Sequence, residues 1–150
     1  MVSRKNINDF LSLKKLAVVG VSRNSKKFGN SIFKELKNKG YQVFPVNPYI
    51  NEFEGEECYP NLNLLSGKAE GAVFVVPPDK TEKLVEEAFS AGIKNIWMQQ
   101  GAESKNAISY CKNNNINAVY GECILMFAEP AAFFHKAHRF VSGVFGRLPR

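Results

Sequence analysis

An α/β fold built on a doubly wound, mostly parallel sheet is predicted by three features of this 150-residue chain. Short apolar runs recur at 16–19, 41–46, 71–76 and 93–99, as in strands buried on both faces. Segments with apolar residues at helical spacing lie between them, so strand and helix alternate. Each run stops at a turn signal: Gly20, Asn47-Pro48, Pro77-Pro78 and Gln99-Gln100-Gly101. Right-handed crossovers put these four stops on one edge of the sheet, where such folds bind ligands near the topological switch.

Residues 1–15 read as a polar lead-in with a helical turn near 9–13. Strand 16–19 follows, then a basic loop and a helical pattern starting near 29–31. In that helix Ile32, Phe33 and Leu36 share a face, and Gly40 stands where a C-terminal cap belongs. After strand 41–46, the acidic stretch 54–59 reads as a loop with a short edge strand, and 60–65 as a small helix or turn. Asp79 and Glu82 have capping-box spacing ahead of a helix whose buried stripe is Leu84, Val85, Ala88 and Phe89. A further helix is predicted over 104–113 with Ala107, Ile108 and Cys111 inward. The last strand is 118–120, with Gly121-Glu122-Cys123 as its terminal loop. Pro130 can open a C-terminal helix, in which Phe133, Ala137, Phe140, Val141 and Val144 share a face.

The stretch 16–29 carries the strongest functional signal. A buried strand, a glycine turn and a helix N-terminus together favour an anion, through free N–H groups and the helix dipole. Ser22 and Ser31 add hydroxyls, and Arg23, Lys26 and Lys27 add charge. The dinucleotide fingerprint G-x-G-x-x-G is incomplete, because Ser22 replaces its second glycine and the loop is longer. At the end of the second strand Asn47 stands where NAD-binding units place an acid for the ribose. The P-loop pattern is absent.

Length and composition suit one domain with a sizeable core. No apolar run is long enough to cross a bilayer, and residues 1–10 have no apolar signal core, so cytoplasm is the expected compartment. Residues 1–40 hold ten Lys/Arg against Asp9 and Glu35, a surplus of eight, whereas the rest hold ten against twelve acids. The basic surplus therefore surrounds the proposed anion loop. Nucleic acid is not the expected partner, since no nucleic-acid motif occurs and only Phe28 interrupts the basic loop. Cys58, Cys111 and Cys123 form no CxxC pair, and His135 and His138 lack a third ligand, so no metal site is predicted.

Taken together, Ala17-Val18-Val19-Gly20-Val21-Ser22-Arg23-Asn24, Gly40-Tyr41 through Val46-Asn47-Pro48, Val75-Val76-Pro77-Pro78 and Ile96-Trp97-Met98-Gln99-Gln100-Gly101 resemble the small stand-alone CoA-binding domain proteins. Their Rossmann-like three-layer fold is related to the CoA-binding N-terminal domain of the succinyl-CoA synthetase alpha subunit. The resemblance runs over about residues 10–127 and includes Cys123. It implies a CoA-binding domain over 1–127, and the helical spacing read above leaves 128–150 as a C-terminal helical extension packed on the domain or a partner. It further implies that Gly20, Val21, Ser22, Arg23 and Asn24, with Lys27, hold the nucleotide phosphates of coenzyme A or an acyl-CoA. Asn47 and Pro48 would flank the ribose or its 3′-phosphate, and Pro77, Pro78, Gln99 and Gly101 would line the far side. Where the family often has a basic residue after Asn-Pro, this chain has Tyr49, suited to stacking on adenine. Arg23, Lys26 or Lys27 would then meet the 3′-phosphate.

A ligase of the synthetase type needs a phosphorylatable histidine, and both histidines lie in the C-terminal segment. No Ser-His-Asp set or metal–carboxylate cluster stands in the strand-end loops. Cys123, beside Glu122, is the one candidate redox thiol, placed to form a mixed disulfide with a ligand thiol. The leading expectation is a CoA-binding protein without a self-contained catalytic set. An NAD(P)-binding oxidoreductase-like or redox-sensing domain is the alternative. A third is an interaction module using the C-terminal helix toward a homodimer mate or partner protein, with a membrane surface the less expected use.

Overall fold

The computed structural model describes residues 2–127. A five-stranded, all-parallel sheet is formed by β1 (Lys15–Val19), β2 (Gln42–Val46), β5 (Gly71–Phe74), β6 (Asn95–Gln99) and β7 (Asn117–Glu122), in the order β2-β1-β5-β6-β7. The chain leaves β1 for β2 on one side and returns to β5 on the other. The order thus reverses at β1, where a crevice opens beyond the strand ends.

Helices cover both faces, which explains the unbroken apolar runs. Along β1, Leu16 and Val18 join one core with Val73 and Trp97, whereas Ala17 and Val19 join the other with Ala72, Phe74, Ile96 and Met98. The first core is closed by α1 (Arg4–Leu11) and α2 (Phe28–Asn38), through Ile7, Phe10, Ile32, Phe33 and Leu36. The second is closed by α3 (Pro78–Ser90), α4 (Lys105–Asn113) and the 3-10 turn Leu62–Leu65.

Four local expectations are corrected. The lead-in is a full helix: Ser3 caps α1 in a reciprocal capping box with Asn6. Asn6 also exchanges hydrogen bonds with Asn117 of β7 at 2.9 and 3.1 Å. Helix α3 has its N-cap position at Pro77, which supplies no side-chain cap, and not at Asp79, because Pro78 supplies a helical φ at the first position and holds Pro77 extended. Its buried stripe is Thr81, Val85 and Ala88, with Leu84 and Phe89 only half-buried. Strand β7 runs on through Glu122: Gly121, at φ +76°, is the extra residue where pairing shifts between Met98 and Gln99.

The acidic stretch forms an antiparallel hairpin of β3 (Glu52–Phe53) and β4 (Glu56–Glu57), and its end meets the edge of the main sheet at a single parallel bridge between Tyr59 and Val46. Glu54 and Gly55 both take positive φ at its tip. Phe53 packs edge-on to Phe33 at 5.1 Å, and Lys34–Glu54 and Lys37–Glu56 ion pairs, both 3.3 Å, strap the hairpin to α2. The expected C-terminal helix over 128–150 lies outside the described residues.

Trp97 anchors the first core. Its ring meets Phe10 at 5.5 Å and Phe127 at 6.1 Å, and its Nε1–H donates to the Glu122 carbonyl at 3.0 Å. Phe10→Ala should therefore cost about 3–5 kcal/mol, the range for deleting a buried aromatic ring. Ser3→Ala should cost about 1 kcal/mol as a lost N-cap. Urea unfolding of the two variants checks both, and an unchanged midpoint for Phe10→Ala would remove α1 from the core.

Candidate ligand site at the C-terminal edge of the sheet

The loop from β1 to α2 is shaped by two glycines and one asparagine. Gly20 has φ +126°, and a Cβ there would strike the Val75 carbonyl. A Cβ on Gly29 would strike the Gly20 carbonyl, so the first turn of α2 sits hard against the end of β1. Buried Asn30 then ties the loop from inside. Its Oδ1 accepts from Ser22 N–H at 2.8 Å, and its Nδ2 donates to the carbonyls of Ser22 at 2.8 Å and Asn24 at 3.1 Å. All this amide chemistry is spent on backbone.

That clip changes which N–H groups face a ligand. Ser22 N–H belongs to Asn30, Asn24 N–H donates to Ser22 Oγ, Lys26 N–H to Asn24 Oδ1, and Lys27 N–H to the Asn24 carbonyl. Four of the loop N–H groups are thus turned inward, whereas those of Val21, Arg23 and Ser25 have no acceptor among the described residues. At the helix start Phe28 and Gly29 N–H likewise have no acceptor among the described residues, and the N-cap Lys27 offers no side-chain cap. Helix α3 likewise lacks a side-chain cap at Pro77. By contrast, α1 and α4 are capped by Ser3 and Ser104. The two uncapped helix starts flank the crevice at β1.

At the end of β2, Asn47 Nδ2 donates to the Val21 carbonyl and its Oδ1 accepts from Tyr49 N–H, both at 2.7 Å. The side chain forms the turn and also clips it to the β1 loop. Tyr49 is 83% exposed, with its ring free to meet a ligand, and its carbonyl accepts from Arg23 Nη2 at 3.4 Å.

A cleft of about 510 Å³ opens between this turn, the β1 loop and α3. Gly20, Val21, Ser22, Lys27, Asn47, Pro48, Tyr49 and Pro77, all singled out in the sequence, line it. A second hollow of about 310 Å³ continues towards β6, sharing Gly20, Lys27 and Pro77 and adding Gln99, Gly101 and Phe28. Together they form one groove across the strand ends. Gln99 is buried, and its Oε1 accepts from Ile124 N–H at 3.1 Å, so its amide also braces the chain after β7. Arg23, Asn24 and Pro78 line neither hollow. Sequence reasoning missed Asn30, Lys80, Lys83, Asn61 and Glu87; the last four line the larger cleft.

Much of the basic surplus is spent elsewhere. Lys5, Lys34, Lys37 and Lys39 are paired with Asp9, Glu54, Glu56 and Glu35. Lys27, Lys80 and Lys83 line the cleft without an ion-pair partner among the described residues, against the single carboxylate of Glu87. Glu87 Oε1 accepts from Leu62 N–H at 2.7 Å. The cleft therefore carries net positive charge over an apolar floor of Val46, Val76 and Leu84.

Cys123 is half-buried at the start of the turn Ile124–Met126 and lines neither hollow. Burial raises the pKa of neighbouring Glu122. Cys58 and Cys111 are buried; desolvation pushes the first thiol up and the second up to about 12. Among the described residues no group of three His, Cys, Asp or Glu is placed to hold a metal, and no helix is long and apolar enough to cross a membrane.

Two measurements follow from this geometry. Asn30→Ala strands the Ser22 N–H and carbonyl, while the Asn24 carbonyl keeps its bond from Lys27 N–H; it should cost about 2–4 kcal/mol, and Asn30→Asp, which lacks both N–H donors, should not rescue it. Denaturant unfolding and amide exchange at 22–27 check this. The second concerns pH. A thiol held protonated to about 12 in the fold, against 9.0 when exposed, stabilises fully below pH 9 and loses that contribution as pH rises towards 12. Stability should fall less steeply over that window in Cys111→Ala than in the parent chain; parallel pH profiles would contradict the assignment.

Comparison with known proteins agrees with this architecture. The family model described as a CoA binding domain matches residues 14–129. The acetate–CoA ligase (ADP-forming) I of Archaeoglobus fulgidus is 29% identical over 123 residues, covering 75% of this chain and 18% of the ligase. The acetate–CoA ligase (ADP-forming) II subunit alpha of Pyrococcus furiosus is 32% identical over 88 residues, covering 58% of this chain and 19% of that subunit. The chain thus spans about a fifth of the length of these curated relatives. A conserved hypothetical protein of Pyrococcus furiosus superposes with a TM-score of 0.72 at 40% identity, over 75% of this chain and 97% of that one. Fold and sequence together establish that this chain belongs to the CoA binding domain family.

Proposed function

We propose that the chain binds coenzyme A, or an acyl-CoA, in the groove across the C-terminal ends of β2, β1, β5 and β6, without a self-contained catalytic set. One observation carries the reading: two uncapped helix starts, α2 and α3, flank a net-positive cleft beside a clipped loop and a close-packed glycine pair. A pyrophosphate at the start of α2 would take the free Phe28 and Gly29 N–H groups and the charge of Lys27. The adenosine end would enter the larger cleft over Val46, Val76 and Leu84, with Tyr49 beside it. The pantetheine arm would run into the smaller hollow past Phe28 and Gly101. The family membership and the ligase relatives support the choice of CoA over a dinucleotide. So does Asn47, a neutral side chain already committed to Val21 and Tyr49 where an NAD site needs a free acid.

Calorimetric titration with CoA, acetyl-CoA, NAD and NADP under reducing conditions tests the proposal. Saturable CoA binding without saturable dinucleotide binding is the expected result. Lys27→Ala should weaken CoA binding by at least roughly tenfold, the scale of one charge-assisted contact. Binding of a dinucleotide alone, or of no nucleotide, overturns the proposal.

A further inference from the structure

We infer that Lys80 and Lys83 of α3 form a second anion subsite, which takes a phosphate monoester on the ribose of the bound nucleotide and sets a preference for ribose-phosphorylated ligands. The inference rests on the proposed nucleotide site and deepens it. Helix α3 carries two stripes at helical spacing. Thr81, Val85 and Ala88 are buried in the core, whereas Lys80, Lys83, Leu84 and Glu87 all line the cleft. The two lysines thus face the ligand space from one wall, three positions apart and on neighbouring turns.

Neither lysine is neutralised by its own helix. Lys80 lies in the first turn of α3, where the helix dipole opposes a cation, and only Asp79 there offsets it. Neither lysine has an ion-pair partner among the described residues. Glu87, one turn beyond Lys83, has an oxygen engaged by Leu62 N–H. Among the other polar groups of the cleft, Asn47 is tied to Val21 and Tyr49, and Asn61 Oδ1 accepts from Leu64 N–H. Lys27 belongs to a different element, the N-cap of α2, and also lines the smaller hollow, where the pyrophosphate is proposed to lie. Cationic positions supplied by two elements of one groove match a ligand with two phosphate groups.

The test compares nucleotide pairs that differ only in the ribose phosphate: CoA against dephospho-CoA for a 3′-phosphate, NADP against NAD for a 2′-phosphate. Calorimetry on the full chain should show CoA preferred over dephospho-CoA by roughly tenfold or more, on the scale of a charge-assisted contact. In the Lys80→Gln/Lys83→Gln variant that ratio should fall towards unity, because CoA loses more affinity than dephospho-CoA, and Lys80→Arg/Lys83→Arg should restore it. Both lysines are exposed, so the variants should melt with the parent. A ratio that persists in the Gln variant, or a parent that binds both CoA forms equally, overturns the lysine subsite and leaves the CoA proposal standing. Discrimination of NADP from NAD that depends on the two lysines, with no CoA binding, upholds the subsite and overturns the CoA proposal. No binding by any of the four overturns both.

Discussion

The candidate site depends on one close approach, the backbone contact between Gly29 at the start of α2 and the carbonyl of Gly20 at the end of β1. No other residue fits at Gly29, because any Cβ would occupy the position of that oxygen. The contact brings an uncapped helix start to the strand end, and buried Asn30 then fixes the intervening loop through three hydrogen bonds. A buried amide is costly when unpaired, so its full satisfaction makes the loop conformation specific as well as stable. The loop holds its shape by turning four of its own N–H groups inward.

Sheet order does the rest. Reversal at β1 leaves a crevice that neither α2 nor α3 fills, and both helices begin on its rim without a side-chain cap. Helix α4 also starts after a strand of this sheet, but Ser104 Oγ accepts from Ala107 N–H there at 3.0 Å. The free donor capacity is therefore concentrated at the switch point, next to the lysines that lack acidic partners. Aromatic packing around Trp97 is remote from this edge in role: it holds α1 and the end of β7 to the opposite core.

The fold is legible because double-sided burial writes itself as apolar runs at 16–19 and 71–76, and because Gly20, Asn47-Pro48, Pro77-Pro78 and Gly101 punctuate the first four main-sheet strands. Gly20, Lys27, Asn47 and Pro77 were visible for the same reason, as turn residues at strand ends. Less legible were features set by tertiary contact. Asn30 looks like an ordinary polar residue in a first helical turn, and only the glycine contact shows that it points inward. Lys80 and Lys83 read as a solvated face until the direction of α3 assigns them to the cleft. The capping residue of α3 was displaced because Pro78 constrains φ more strongly than Asp79 can recruit a cap. Helix α1 was shortened for a related reason: Asn6 closes its capping box where Glu or Gln is the usual signal. The basic surplus at 1–40 reads as one field, whereas both lysines within α2 go to strapping the acidic hairpin.

The most direct test of a nucleotide site in this groove is amide chemical-shift mapping of the full chain during titration with CoA. The account predicts saturable shifts confined to the β1–α2 loop and first turn of α2, the Asn47–Tyr49 turn, the start of α3 and the Gly101 loop, with α1 and its surface undisturbed. Shifts centred on α1 and Tyr41, or none at the Gly20–Gly29 contact, would contradict it.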